Sequence, residues 1–195
     1  MPIQARIQQT FIDSAQTKLA IADVLAEPIA AGARALFDCL MQEGKVLACG
    51  NGASAADAQH FCAALINRFE RERPGLPAIA LTSDTATLTS IANSQAYAQV
   101  FARQVSALGS PGDLLLAIST RGHSANVLEA VHAAHDKEMR VIALTGRDGG
   151  ALAELLADAD VLICVPSESM ARIQEVHTLT INCLCDSIDY LLLGA

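Results

Sequence analysis

The chain is 195 residues long and 52% hydrophobic, with 13 Lys and Arg against 21 Asp and Glu for a formal net charge of −8. That length fits one domain with a core of ordinary size. The acidic balance disfavours direct binding to nucleic acid, which needs clustered cations, and no apolar run reaches the roughly 18 residues of a membrane span.

The opening MPIQARIQQTF lacks the basic-then-apolar pattern of a signal peptide, so a cytoplasmic location is expected. Ile3, Ile7, Phe11 and Leu19, joined by Ile12 or Val24, lie toward one side of a first helix. Pro28 predicts the start of a second helix through Leu36, Phe37 and Leu40, ending near Gly44. An amphipathic helix outside a sheet needs a cover, which a second copy of the chain supplies; the alternative is packing on its own sheet.

Apolar runs then predict strands at 46–49, 78–81, 114–118, 141–144 and 161–165. Between them, helices are expected after Ser54, after the capping run Thr82-Ser83-Asp84, over 97–108, after Ser124, near 152–156, and over 170–193. Strands alternating with helices predict a parallel sheet covered on both faces. The basic cluster Arg68, Arg71 and Arg73, interleaved with Glu70 and Glu72, reads as a solvated helix end, and His132 with His135 as a surface pair. Cys39, Cys49, Cys62, Cys164, Cys183 and Cys185 show no CxxC spacing and read as reduced thiols.

Two strand-to-helix turns carry the chemistry. Ser119-Thr120-Arg121-Gly122-His123-Ser124 delivers hydroxyls to a helix start, where unpaired N–H groups and the helix dipole favour an anion. Gly50-Asn51-Gly52-Ala53-Ser54 repeats the pattern after the first strand. Neither is GxGxxG nor GxxxxGK[ST], so the pair suggests a sugar phosphate or similar small anion in a crevice at the strand ends. Asp148-Gly149-Gly150 reads as a tight turn without chemistry.

The segments GNGASAADAQHF (50–61), ISTRGHSANV (118–127), ALTGRDGG (143–150) and ARIQEVH (171–177) resemble the sugar isomerase (SIS) domain proteins of the phosphoheptose isomerase group. STRGHS (119–124), NRFERERP (67–74) and TINCLCDSID (180–189) resemble its DnaA initiator-associating (DiaA) branch. The resemblance implies an α/β fold: a three-layer α-β-α sandwich around a five-stranded parallel, flavodoxin-like sheet, with extra N-terminal helices and assembly as a homotetramer. Residues 1–195 then form one SIS domain, with oligomerising helices over 1–43 and an α/β core over 44–195.

It also implies phosphate binding at Ser54, Ser119, Thr120 and Ser124, with Asn51 beside the sugar, and Arg121 and Gln174 belong to the same expected ligand-binding set. Arg121 stands where the isomerase pattern has serine, and His123 where it has asparagine. In the isomerases the acid/base work resembles a glutamate of HFAEEL and the distal histidine of RIQExHxxxxH, which with the histidine of HF and the glutamine of RIQ also resemble a metal-binding set. Here those positions read Ala64 and Asn182, leaving His60 and Gln174. Alanine neither takes a proton nor binds metal, and loss of a general base costs on the order of 10² to 10⁴ in rate. Two ligands are too few for a tight zinc centre. A rebuilt acid/base pair of Glu175 and His177 is opposed by helix geometry: Glu175 points about 100° from Gln174 and about 200° from His177, so these side chains diverge.

The expectation is therefore a protein without catalytic residues, metal or cofactor, that binds a DnaA-type initiator and promotes replication initiation. Leu192 and Leu193, at the end of the last helix, would provide the partner surface. Two alternatives stand beside it: a phosphoheptose isomerase converting sedoheptulose 7-phosphate to D-glycero-D-manno-heptose 7-phosphate, and a sugar-phosphate-sensing regulatory module.

Overall fold

The computed structural model describes residues 1–194. β1 (Val46–Gly50), β2 (Ala78–Ala80), β3 (Leu114–Ser119), β4 (Arg140–Gly146) and β5 (Val161–Val165) form one parallel sheet, ordered β2-β1-β3-β4-β5. Around it lie α1 (Ile3–Met41), α2 (Ala53–Ile66), α3 (Thr85–Ser94), α4 (Ala102–Leu108), α5 (Ala125–Asp136), α6 (Gly150–Leu155) and α7 (Met170–Leu193).

Every residue of β1 and β3 is buried, which is why both read as unbroken apolar runs: a parallel sheet is covered on its two faces. Alternate side chains divide between the faces. Val46, Ala48, Leu114, Leu116 and Ile118 pack with residues of α1, α2 and α7, whereas Leu47, Cys49, Leu115 and Ala117 pack with residues of α4 and α5. This is the three-layer α-β-α sandwich expected.

Four readings need correction. The expected helix break at Pro28 does not occur, and α1 runs as one 39-residue helix. Ile21, Leu25, Gly32, Leu36 and Leu40 fall on one buried face on both sides of the proline, so burial offsets the hydrogen bond that Pro28 cannot donate. The helix expected over 97–108 is a single 3-10 turn, Tyr97–Gln99, followed by α4. Arg73 is not solvated: its side chain is 1% exposed and paired to Asp189 of α7 at 2.6 Å. It also donates to the carbonyls of Leu65 and Ala64, each at 2.8 Å, and so caps the end of α2.

His135 likewise does not form a pair with His132. Its Nε2 lies 2.8 Å from the buried carboxylate of Asp160, which also accepts from the backbone N–H groups of Val141 and Ala157. The six cysteines are free thiols, and burial pushes Cys49 and Cys62 up to about 12. None of the described helices is long and apolar enough to cross a membrane.

Candidate functional site

The sheet order places β1 and β3 side by side, with β1 connecting outward to β2 and β3 outward to β4. Their carboxyl ends are therefore the topological switch point, where open α/β sheets bind ligands. The two hydroxyl-bearing turns leave from these ends. They enclose a cavity of about 430 Å³ lined by Asn51, Gly52, Ser54, Ser119, Thr120, Arg121, His123 and Ser124, with Met170 and Gln174 from the start of α7. All seven residues assigned to ligand binding from the sequence, Asn51, Ser54, Ser119, Thr120, Arg121, Ser124 and Gln174, meet there.

The donors are set in place by their neighbours. Ser119 donates to the Ser124 hydroxyl at 3.1 Å, across the second turn. Asn51 and Asn126 exchange two amide hydrogen bonds, 2.8 and 2.9 Å, and Tyr97 donates to Asn51 at 3.0 Å. Asn126 is buried, so it fixes the rotamer of Asn51 from beneath. Neither Asn126 nor Tyr97 was singled out from the sequence. Asn126 sits two residues past Ser124 within ISTRGHSANV, and its position there was the available signal.

The glycine turn after β4, which carried no chemistry in the sequence, braces the second loop. Gly122 has φ +67°, and a Cβ there would lie 1.7 Å from the Gly149 carbonyl oxygen. Gly150 has φ +57°, and its Cβ would meet the Arg121 carbonyl at 2.4 Å. The Gly122 carbonyl accepts from Leu152 N–H at 2.9 Å. The two loops thus touch backbone to backbone, which only glycine permits.

Away from the cavity, α2 and α7 diverge from the nest as a polar seam. Thr178 donates to Asp57 at 3.1 Å, and His60 Nε2 lies 3.3 Å from Asn182 Oδ1. Burial raises the Asp57 carboxyl above its ordinary value, against the Thr178 hydrogen bond and the nearby His60. Ala64, one turn beyond His60, is buried, and its carbonyl serves Arg73.

The remaining candidates point elsewhere. Glu175 accepts from Ser14 of α1 and from Arg172, both at 2.6 Å. His177 is fully buried and donates Nε2–H to the Thr145 carbonyl at 2.8 Å. Desolvation pulls its imidazole down to about 4. The residues do not fit a divalent metal: His60 is bonded to Asn182, Ala64 has no donor, and among the described residues no three His, Cys, Asp or Glu side chains are grouped to hold one.

The SIS domain family matches residues 10–146. A phosphoheptose isomerase of Thiobacillus denitrificans is 68% identical over 194 residues, covering all of this chain and 98% of that protein. One from Azoarcus is 60% identical over the same length, again covering 100% of this chain and 98% of that one. Among solved structures, phosphoheptose isomerase GmhA from Neisseria gonorrhoeae superposes with TM-score 0.92 at 50% identity, covering 96% of this chain and 99% of that one. A phosphoheptose isomerase from Francisella tularensis gives TM-score 0.94 at 51% identity, covering 97% and 99%.

These matches overturn the expectation of a DnaA-binding replication factor. The structure shows why the segments that suggested it were misleading. Arg73 of NRFERERP is buried against Asp189 of TINCLCDSID, and Thr180, Leu184 and Cys185 are core residues, so these residues of the two segments serve the packing of α7 on the end of α2. The expected apolar pair at the end of α7 is also split, Leu192 packing on the core and Leu193 lying 41% exposed. With the nest at the switch point and full-length relatives of one kind, this chain belongs to the SIS domain family, in its phosphoheptose isomerase group.

Proposed function

We propose that the crevice is a sugar-phosphate isomerase site that takes sedoheptulose 7-phosphate and converts it to the heptose 7-phosphate, the second of the readings open from the sequence. The observation that carries it is the convergence of Asn51, Ser54, Ser119, Thr120 and Ser124 on one cavity, in a chain 68% identical end to end to a protein named for that activity. The phosphate is held by the hydroxyls and the α2 and α5 N-termini. Asn51, fixed by Asn126 and Tyr97, orients the sugar.

Moving a proton between adjacent carbons needs an acid/base group. With Glu175 turned to α1 and His177 buried, His60 is the imidazole left on the seam for that work, and Asp57 is its carboxylate neighbour. Ala64 and Asn182 favour a second reading, in which the same nest binds the sugar phosphate without turnover and acts as a sensing module. The protein works as one SIS domain over its 195 residues, in the cytoplasm, and as a homotetramer joined through the exposed apolar side of α1.

Single-turnover conversion of sedoheptulose 7-phosphate by the purified protein separates these readings. Conversion above background, lost in His60→Ala, is the expected result. Binding without conversion replaces it with the sensing module, and absence of binding overturns both.

A further inference from the structure

Between the edge strand β2 and α4 the chain makes a detour that little holds down. Leu81 and Val100 are buried, at 1% and 0% exposed, but no residue of 82–99 is. This strap contains α3 and the 3-10 turn Tyr97–Gln99. Its apolar side chains Leu88, Ile91 and Ala92 reach the core only in part. A cavity of about 460 Å³ lies between Asp84, Thr87 and Ile91 of the strap and Arg103 and Ala107 of α4. A segment with few buried apolar contacts opens at lower free energy than the sheet it leaves, and here there is space beside it.

The feet of the strap are fixed. The buried side-chain amide of Gln104 donates to the Leu81 carbonyl at 2.9 Å and to the Val100 carbonyl at 2.7 Å, and so ties the two ends side by side. Next to them, Gln59 donates to the Thr82 hydroxyl at 3.2 Å and Gln99 to Glu129 at 3.1 Å. Asp84 accepts from the N–H groups of Ala86 and Thr87 and starts α3, so the strap carries its own capped helix. Ends held together around such a unit are the build of a hinged flap.

Between the feet there is one attachment. Over 84–98, among the described residues, the single side-chain hydrogen bond or ion pair from the strap to the rest of the chain is the Tyr97 hydroxyl donating to Asn51 Oδ1 at 3.0 Å. Tyr97 is 61% exposed, and Asn51 lines the phosphate nest. Asn51 Oδ1 accepts from Asn126 as well, and Asn51 Nδ2 donates to Asn126 Oδ1. One Asn51 N–H is left for a sugar hydroxyl, and the two bonds accepted on its oxygen polarise the amide and strengthen that donor. A sugar held by Asn51 therefore binds the latched strap more tightly than the open one, which is the differential affinity that closure by a ligand requires.

We propose that residues 82–99 are a lid on the phosphate crevice, hinged at Gln104 and latched by Tyr97 on Asn51. The sugar phosphate enters with the latch open, and its binding at Asn51 closes the lid and keeps water from the transferring proton. The inference rests on the nest taking a sugar phosphate, as in the proposed function. Tyr97 is a positioning residue in it, acting through Asn51.

The test is amide hydrogen exchange of the full-length protein, read by mass spectrometry at 85–99 and at 119–124, with and without sedoheptulose 7-phosphate. In wild type the ligand is expected to slow exchange at both segments. Tyr97→Phe keeps the exposed ring and removes the latch. Exchange at 85–99 of the free variant should rise on the order of two- to tenfold, the worth of one hydrogen bond. Protection by the ligand should be lost there and persist at 119–124, with unchanged exchange in β3 showing that the variant is folded. Protection confined to 119–124 in wild type, or protection at 85–99 that Tyr97→Phe leaves intact, overturns the lid while leaving the nest in place. Protection at neither segment overturns the nest reading, and the lid falls with it.

Discussion

His177 shows how little of a residue's role its chemical type decides. Its Nε2–H is committed to the Thr145 carbonyl, and Nδ1 is buried without a partner. A second proton would create an unsolvated cation there, and burial holds the imidazole down at about 4 against an ordinary 6.5. Between those values the unfolded chain binds a proton that the folded chain refuses. The contribution of His177 is therefore present above pH 6.5 and lost as the pH falls toward 4, by on the order of 3 kcal/mol. Asp57 acts in the opposite sense: its carboxyl is raised by burial, so its contribution is present in acid and lost as pH rises through its folded value. Urea unfolding across pH 4 to 7 should show stability climbing with pH, and His177→Gln should flatten that climb. Gly122 is the second residue-scale case. A methyl there meets the Gly149 carbonyl oxygen at 1.7 Å on a backbone of φ +67°. Gly122→Ala should cost about 2 to 4 kcal/mol in chemical denaturation and abolish sugar-phosphate binding, because the loop that carries Ser119 and Ser124 must move.

At the scale of elements, α2 and the segment that follows it are joined to α7 by a succession of contacts: Asp57 with Thr178, His60 with Asn182, and finally Arg73 with Asp189. Only the last is a buried ion pair, both side chains being at most 2% exposed, and one oxygen of Asp189 has no partner. Removing one member strands the other's charge in the interior. Asp189→Asn should lower the unfolding free energy by about 3 to 5 kcal/mol, whereas replacing both residues by apolar ones of similar volume should recover much of the loss. Because Arg73 also caps the carbonyls of Ala64 and Leu65, the single variant should fray the end of α2 and raise amide exchange there. This explains why a run of alternating Arg and Glu was misread: its charge pattern is that of a solvated surface, and only the approach of α7 buries one arginine of the set.

At the scale of the whole molecule, α1 has two parts with different environments. Its second half packs on β5 and α7, with Gly32 allowing Leu184 within van der Waals reach. Its first half leaves Ile3, Phe11 and Leu19 at least 74% exposed, a stripe that a single copy does not cover. If this face joins the protomers of the proposed tetramer, Phe11→Ser combined with Leu19→Ser should convert the sedimenting species to smaller assemblies without unfolding the α/β core. A wild-type monomer would contradict the assembly. The net charge of −8 is carried by the rest of the surface, while the cavity beside the second turn sets Arg121 and Arg147 against Asp148 and Glu168, so an anionic ligand is repelled less there than elsewhere on the molecule.

The sequence alone determined the strands, the two phosphate-type turns and the set of residues around them. A buried parallel strand must be apolar throughout, and a turn that receives an anion must be rich in hydroxyls and glycine, so both are written locally. It did not show that Asn126 and Tyr97 fix Asn51, or that Gly149 and Gly150 brace the loop of Gly122. Those are contacts between segments far apart in the chain, with no periodicity to mark them. Nor did it show that α1 passes through Pro28 unbroken, that Arg73 is buried, or that Glu175 and His177 leave the site. Each of these depends on which helix lies alongside, and burial against a neighbour, decided only by the tertiary structure, outweighs local propensity.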